Sequence, residues 1–304
     1  MLNIKLIRKK INRKFFISRS KKISLAFRKI FKKPVIGIVD IGAGHRYLPI
    51  LLNFDGVSKI AMVDPNKSLD WSYQNFKNII SYPENLFKFN FGISNKTSKK
   101  KYFVTKTLTG STFIDIYKTS KKNKTKLNYE YFGGKNSNIQ KIYSFKDFIK
   151  KFFKNKVDIV KIDVEGFEYN IILSLVKYSK PMLIEVETNL NNEVYPNTFD
   201  QINLILRKKG YRLVTAYSIF KKTKKNKVNS SYDIGNYDNP ISRSTLEQFE
   251  CIYIKNKSKY NIKDLTILIG YGLSQEAKKI LEKSKIICSK FEKNQINKIL
   301  NNFF

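Results

Sequence analysis

Short apolar runs alternate with longer segments of mixed polarity from residue 34 onward. The runs at 35–41, 59–63 and 157–164 are rich in valine and isoleucine and end in glycine or charged residues, which predicts buried strands. Segments between such runs, at 68–80 and 168–176, place apolar residues at helical spacing. Strands that alternate with helices predict an α/β fold with a mostly parallel, doubly wound sheet.

The same pattern makes more specific predictions for five stretches of this domain. We expect a helix over 47–54, one continuous strand over 86–93, and its hairpin partner at 101–105 after a polar turn. Residues 106–140 indicate a loop-rich insertion. Residues 221–245, whose first seven residues include five lysines, indicate a mobile loop.

Helical extensions are predicted on both sides of a domain at residues 34–258. Residues 1–33 hold 13 Lys or Arg and no acid. Their apolar residues have the spacing of one helix face, with a similar stripe continuing upstream: Ile23, Ala26, Phe27, Ile30 and Phe31, then Ile4, Ile7, Ile11 and Phe15. This basic amphipathic segment either packs on the domain or makes weak peripheral contact with an anionic membrane. Residues 259–304 predict a C-terminal helical extension.

Composition limits the classes of protein that the chain can belong to. It has 304 residues, 42% of them hydrophobic, which excludes a mostly disordered chain. Two cysteines exclude a disulfide framework and favour a reducing, cytoplasmic location. No apolar run approaches the ~20 residues of a membrane span, so any membrane contact is expected to be peripheral, at the inner face.

The net charge of +35 invites a nucleic-acid interpretation. The basic residues are 51 Lys and only 8 Arg, a bias that indicates compositional drift. Nucleic-acid sites favour the bidentate fork of Arg. We therefore predict no specific nucleic-acid partner.

The first two predicted strands end in residues that suit a nucleoside ligand. Asp40 closes the first strand and is followed by the turn Gly42-Ala43-Gly44, which allows close backbone approach to a ligand. Tyr47 stands where a dinucleotide fold would have its third glycine. Asp64 follows the second strand, where an acid can accept both ribose hydroxyls. This order of residues predicts a site for S-adenosylmethionine.

Three charged residues close the apolar run at 157–164: Lys161, Asp163 and Glu165. In one interpretation Lys161 forms an ion pair with Asp163, and Glu165 stabilises the N-terminus of the next helix. They can also form a charged floor for an acceptor, or a metal site of hard oxygen ligands. Both interpretations stay open.

In these motifs the chain resembles the FkbM family of S-adenosylmethionine-dependent methyltransferases. The resemblance covers roughly residues 35–217, and its most specific part is the run Lys161-Ile-Asp-Val-Glu-Gly-Phe-Glu168. The other matching stretches are 39–43, 63–66, 90–94, 110–112, 144–148 and 183–186. The resemblance implies a class I methyltransferase (Rossmann-like) fold and O-methylation of a hydroxyl. Gly44 and Arg46 depart from the family, which usually has Asn and Gly there.

The motifs and the resemblance together predict the site residues. The predicted cofactor-binding residues are Asp40, Gly42, Ala43, Gly44, Asp64, Asn66, Asn90 and Gly92. Asp163 is predicted as the general base, Glu165 as an acceptor or metal ligand, and Lys161 as a third catalytic residue; Glu187 and His45 are the other candidate bases.

The chain is thus expected to be an S-adenosylmethionine-dependent O-methyltransferase acting on a sugar, a glycan or a related small polar acceptor. S-adenosylmethionine is the expected cofactor, and no motif indicates a divalent metal. One alternative is an RNA methyltransferase. Another is a non-catalytic basic protein that binds a membrane or polyanion on this scaffold.

Overall fold

A computed structural model describes most of the chain. The described residues are 2–44, 48–104, 111–114, 137–164, 166–189, 198–222, 228–230 and 245–304. The helices in these ranges are α1 Leu2–Ile30, α2 Ser68–Lys77, α3 Phe145–Phe153, α4 Glu168–Tyr178, α5 Phe199–Lys208, α6 Ile262–Gly270, α7 Ser274–Lys283 and α8 Lys290–Phe303. The strands are β1 Ile36–Ile41, β2 Ser58–Val63, β3 Leu86–Phe89, β4 Gly92–Ser94, β5 Ser98–Phe103, β6 Ser137–Ser144, β7 Ile159–Ile162, β8 Leu183–Asn189, β9 Tyr211–Lys222, β10 Val228–Ser230, β11 Thr245–Lys255, β12 Lys259–Asn261 and β13 Lys285–Ile287.

Eight of these strands form one sheet in the order β10-β9-β11-β8-β7-β1-β2-β3. The five strands from β8 to β3 run parallel, and β11 is antiparallel to both of its neighbours. Parallel neighbours need crossover connections, which bring helices onto both faces of the sheet. This topology confirms the predicted α/β fold with a mostly parallel, doubly wound sheet.

Each face of the sheet buries its own apolar cluster, because successive side chains of a strand point to opposite faces. On one face, β1 residues Val39 and Ile41 pack with α3, α4 and α5. On the other face, β1 residues Ile36 and Ile38 pack with α1, α2 and the C-terminal helices. We call the second one the terminal face, since both ends of the chain cover it.

The two terminal extensions are joined to the sheet through a shared core. Phe27 of α1 stacks on Phe54, with ring centroids 6.2 Å apart. Asn53 donates a hydrogen bond of 2.7 Å from its side-chain amide to the carbonyl of Gly270, at the end of α6. Leu265 of α6 is fully buried in the same cluster. The extensions therefore complete one layer of the fold.

Helix α1 packs through one face only along its described side chains. Ile23 and Phe27 are buried, and Ser24 donates a 2.6 Å hydrogen bond to the carbonyl of Asp55. Phe15 is 71% exposed. The prediction that Phe15 continues the stripe of Phe27 is wrong, because 12 residues at 3.6 per turn place the two about 120° apart. Among the described helices, none has both the length and the apolarity of a membrane span.

Several predicted elements differ from the structure. The single strand expected over 86–93 is wrong: β3 lies in the large sheet, whereas β4 lies in a separate sheet of order β4-β6-β5. β5 pairs with β6, so the expected hairpin of 101–105 with the third strand is wrong as well. A 3₁₀ helix over Pro49–Phe54 replaces part of the helix expected at 47–54.

The two predicted loops lie largely outside the described residues. In the insertion predicted at 106–140, the described part comprises residues 111–114 and the start of β6. In the loop predicted at 221–245, it comprises the end of β9, β10 and the first residue of β11. The described residues 137–140, 221–222, 228–230 and 245 belong to strands, where loop was predicted.

Candidate active site

Asp40 and Asp64 lie at the carboxyl ends of two neighbouring strands. Asp40 is in register with Met62 on β2 and with Lys161 on β7. Asp64 directly follows β2, and its backbone N–H donates to the carbonyl of Phe89 at the end of β3. The two carboxyl groups are close enough for the charge of Asp40 to act on Asp64. Both acids therefore lie at one edge of the sheet, as predicted.

The glycine turn after β1 is folded tightly against the end of β7. Gly42 has φ +91°, and a Cβ built on it would lie 1.7 Å from the carbonyl oxygen of Asp163. The N–H of Asp163 donates a 3.0 Å hydrogen bond to the carbonyl of Ile41. Only glycine fits this position, since an added methyl group would collide with backbone.

The other end of the turn is held by Asp64. The N–H of Gly44 donates to Asp64 Oδ2 at 3.0 Å, and the N–H of Asn66 donates to Asp64 Oδ1 at 2.7 Å. Asn66 Oδ1 accepts from the N–H of Ser68 at 3.0 Å, where α2 begins. Burial raises the pKa of Asp64 to about 7, although these two backbone donors oppose the rise. Ligand donors at this carboxyl would favour its ionised form.

Asp40 is almost completely buried, with 2% of its surface exposed. Its Oδ1 atom has no hydrogen-bond partner among the described residues. Burial raises the pKa of Asp40 to about 6, against the lowering effect of the Lys161 ammonium group. A buried carboxyl with an unused acceptor atom is the feature expected of a group that receives a donor from a ligand.

A row of charged side chains crosses the terminal face of the sheet. Asp40, Lys161 and Glu185 are direct neighbours on β1, β7 and β8. Lys161 Nζ donates to Asp163 Oδ2 at 2.8 Å. Burial disfavours the Lys161 charge, but the carboxylates around it, Asp163 first, hold its pKa well above the usual value. The ion-pair interpretation of Lys161 and Asp163 is therefore confirmed.

Asp163 also belongs to a group of three carboxylates with Glu187 on β8 and Glu250 on β11. One oxygen from each lies within 4.8 Å of the other two. Carboxylate oxygens are the ligands that Mg²⁺ and Ca²⁺ prefer. The ammonium of Lys161 already balances part of this charge, and we assign no metal to the group.

A second set of acids and tyrosines lies beneath that group, and the sequence motifs gave no sign of it. Glu185 is 1% exposed and accepts hydrogen bonds from Tyr217 on β9 at 2.9 Å and from Tyr271, which follows α6. Tyr217 also donates to Glu250. Burial and the neighbouring Glu250 raise the pKa of Glu185 well above its usual value. The C-terminal extension thus contributes Tyr271, which donates a hydrogen bond to Glu185 of the charged row.

Glu168 shapes the turn that follows β7. Its Oε1 atom accepts from the N–H groups of Val164 and Gly166, both at 3.1 Å. The side chain is buried, and burial raises its pKa to about 7 despite the backbone donors. Glu168, the last residue of the motif that begins at Lys161, therefore stabilises this turn.

The remaining predicted site residues are placed less centrally. Ala43 is buried in the core cluster of the terminal face. Asn90 is exposed just beyond β3, next to the Asp64 backbone contact. Gly92 lies in the small sheet, where an added Cβ would meet the Phe113 ring at 2.6 Å. The predicted residue Glu165 and the candidates His45 and Arg46 lie outside the described residues.

The family model of the methyltransferase FkbM domain matches residues 40–213, which include the glycine turn and the residues that close β7. The chain belongs to the FkbM methyltransferase family. It is an S-adenosylmethionine-dependent methyltransferase, as the sequence predicts. No curated protein matches the chain in sequence.

Solved structures of methyltransferases are similar to this FkbM chain at low identity. One is the methyltransferase FkbM from Methylobacillus flagellatus KT, with 12% identity and a TM-score of 0.38 over 72% of this chain and 43% of that chain. Another is the precorrin-6y C5,15-methyltransferase from Geobacter metallireducens GS-15, with 13% identity and a TM-score of 0.36 over 77% and 86%. The magnesium protoporphyrin IX methyltransferase (ChlM) from Synechocystis PCC 6803 has 10% identity and a TM-score of 0.34 over 82% and 84%. At these TM-scores the likeness carries no argument about the acceptor.

The carboxyl ends of β1, β2 and β7 lie side by side, and we call this part of the sheet the carboxyl edge. Its residues fit the cofactor of this family. The unused Oδ1 of Asp40 can accept from an amino group, and Asp64 lies where ribose hydroxyls are bound in related sheets. Gly42 allows the turn to pack on the backbone of Asp163, and Gly44 leaves room beside Asp64, since a Cβ there would lie 2.7 Å from Asp64 Oδ2. The donor set of S-adenosylmethionine, an ammonium group and two hydroxyls, matches these two carboxyls.

Proposed function

We propose that this FkbM methyltransferase methylates a hydroxyl oxygen of a sugar, a glycan or a related small polar acceptor. The observation that carries the proposal is the carboxylate of Asp163, which is 27% exposed at the edge of the sheet beside the glycine turn. It is paired with Lys161 and grouped with Glu187 and Glu250. A hydroxyl that approaches this edge meets several acceptors for its proton.

In this proposal the cofactor is held between β1, β2 and β3. Asp40 accepts from its amino group and Asp64 from its ribose hydroxyls. The residues Gly42, Ala43, Gly44, Asn66, Asn90 and Gly92 provide the surrounding turn and edges. When bound, S-adenosylmethionine supplies an electrophilic methyl group on a sulfonium sulfur.

Asp163 acts as the general base, because a neutral hydroxyl is a poor nucleophile at neutral pH. Its carboxylate would accept the hydroxyl proton when the acceptor oxygen takes the methyl group that the bound cofactor supplies. Lys161 fixes the Oδ2 atom of Asp163 through its ammonium group and so orients the carboxylate toward the acceptor. Glu165 and Glu187 are proposed to bind further acceptor hydroxyls.

The sign of the local charge supports a neutral, hydroxyl-rich acceptor over RNA. The group formed by Asp163, Glu187 and Glu250 would repel a phosphate backbone at short range. Sugar hydroxyls, in contrast, donate well to carboxylate oxygens. The net charge of +35 is therefore a property of other surfaces of the protein.

The proposed location is cytoplasmic. Cys251 is buried and Cys288 is half-buried, and both are free thiols. Unpaired cysteines are typical of a reducing compartment.

The test replaces Asp163 by asparagine, which keeps the shape of the side chain and removes its basicity. We expect turnover to fall by ~10²–10⁴ while the affinity for S-adenosylhomocysteine stays close to that of the parent. Asp70→Asn is the matched control, since Asp70 lies on the surface of α2 with 56% of its side chain exposed. Transfer of labelled methyl groups to free sugars, glycans and glycolipids measures turnover.

The chemistry of the product decides the reaction type. A methyl ether survives mild alkali, whereas a methyl ester is hydrolysed. Label that is released by alkali, or unchanged turnover in Asp163→Asn, would refute the proposed role of this residue.

A further inference from the structure

Helix α1 carries apolar and basic side chains on the face that points away from the domain. Phe15 is 71% exposed and Leu25 is 54% exposed. Arg19 and Lys22, which are also exposed, lie between them at helical spacing. Phe27, which packs in the core, projects from another side of the helix. The outer face of α1 therefore mixes apolar and basic side chains and is uncovered among the described residues.

The C-terminus extends this surface. The Arg19 guanidinium donates to the carbonyl of Phe303 and lies 5.0 Å from the centroid of the Phe304 ring. Phe304 is 38% exposed. We call the resulting surface the terminal patch; it consists of Phe15, Arg19, Lys22, Leu25 and Phe304.

The segment that carries most of the terminal patch has charges of one sign only. Residues 1–33 contain 13 Lys or Arg and no acid. Upstream of the patch, the sequence places isoleucines 4, 8 and 11 residues before Phe15, which is the spacing of a single helix face. Exposed phenylalanines among lysines and arginines form the composition that binds at the boundary between lipid headgroups and acyl chains.

We propose that the terminal patch docks the protein on an anionic lipid membrane, with α1 lying in the plane of the interface. The basic side chains would contact anionic headgroups, and Phe15, Leu25 and Phe304 would enter the acyl boundary. The exposed aliphatic Leu25 favours a lipid surface over RNA, because an aliphatic side chain gains little from a hydrated phosphate backbone. This inference does not depend on the methyl acceptor.

Flotation with lipid vesicles tests the proposal. Vesicles of phosphatidylcholine are compared with vesicles that also contain phosphatidylglycerol, at low salt and at about 1 M salt, where the Debye length is about 3 Å. The parent protein should float with the anionic vesicles and keep part of its binding at high salt. The double variant Phe15→Ser/Phe304→Ser should bind about tenfold less at high salt.

Leu204→Ser is the matched control. Leu204 is 54% exposed on α5, which packs against the opposite face of the sheet, so its loss removes similar apolar surface far from the patch. Thermal unfolding of each variant checks that the fold is retained.

Three results would overturn the proposal. The first is a parent protein that does not float with anionic vesicles. The second is equal binding by the double variant and Leu204→Ser. The third is that added RNA displaces the protein from vesicles while the double variant binds vesicles as well as the parent. This result would assign the basic surface to polyanions.

Discussion

Tyr271 offers a direct test of whether the C-terminal extension contacts the charged row through Glu185. Its hydroxyl donates to Glu185, a carboxyl group that is 1% exposed and has Tyr217 as its second tyrosine partner. Tyr271→Phe removes one donor and leaves the shape of the side chain unchanged. A buried acceptor that loses a partner costs about 1–3 kcal/mol. Because Tyr217 remains, we expect a loss of about 2 kcal/mol and a melting temperature lower by about 4 °C.

Tyr211→Phe provides the matched control. The Tyr211 hydroxyl is buried and donates to the carbonyl of Pro181 at 3.0 Å, away from the charged row. Its loss should cost about 1 kcal/mol, since the partner is a neutral carbonyl group. The free energy of unfolding of both variants is measured by urea titration.

A double-mutant cycle isolates the contact of Tyr271 with Glu185. In a Glu185→Ala background the hydroxyl of Tyr271 has lost its acceptor, so Tyr271→Phe should cost nothing or be slightly stabilising. The coupling free energy should therefore be about 2 kcal/mol. If Tyr271→Phe costs the same in both backgrounds, the two side chains do not interact in solution and the reasoning is refuted.

Two further predictions concern the carboxyl edge. Burial raises the pKa of Asp64 to about 7, and ligand hydroxyls need its ionised form, so the Kd of S-adenosylhomocysteine should rise about tenfold as the pH falls from 8 to 6. Titration calorimetry measures this, and a flat profile would remove Asp64 from the site. Gly42→Ala should destabilise the protein by more than about 3 kcal/mol, because its Cβ would lie 1.7 Å from a carbonyl oxygen. Gly272→Ala is the control: Gly272 has φ +80°, but a Cβ built on it would have its nearest neighbour 3.7 Å away, so urea titration should show a loss of only about 1–2 kcal/mol. Equal losses of stability in the two variants would contradict the close approach of Gly42 to the Asp163 carbonyl.

Local sequence was sufficient to predict the meeting of Asp40, Asp64 and Asp163. Each follows or closes an apolar run, and the carboxyl ends of neighbouring parallel strands meet at one edge of a sheet. The ion pair of Lys161 with Asp163 was one of two interpretations, since residues two positions apart in extended backbone point to the same side.

The second layer of the site could not be predicted in this way. Tyr271 and Glu185 are 86 residues apart, and Tyr217 and Glu250 are 33 residues apart. Nothing in the apolar run of α6 distinguishes a tyrosine that reaches a carboxyl group from one that fills the core. The predicted stripe of α1 failed for a different reason, because Phe15 and Phe27 are 12 residues apart and an ideal helix places them about 120° from each other.

The charge of the site is opposite in sign to the charge of the chain, and this contrast separates two kinds of constraint. The net charge is +35, yet the carboxyl edge brings Asp40, Asp163 and Glu185 around the ammonium of Lys161. Surface positions tolerate added lysines, since an exposed ammonium group costs little in water. At the buried edge a missing acid would leave Lys161 with less compensation for its charge. The acids of this edge are therefore fixed by the chemistry and packing of the site, whereas the basic excess is free to collect on outer surfaces such as α1.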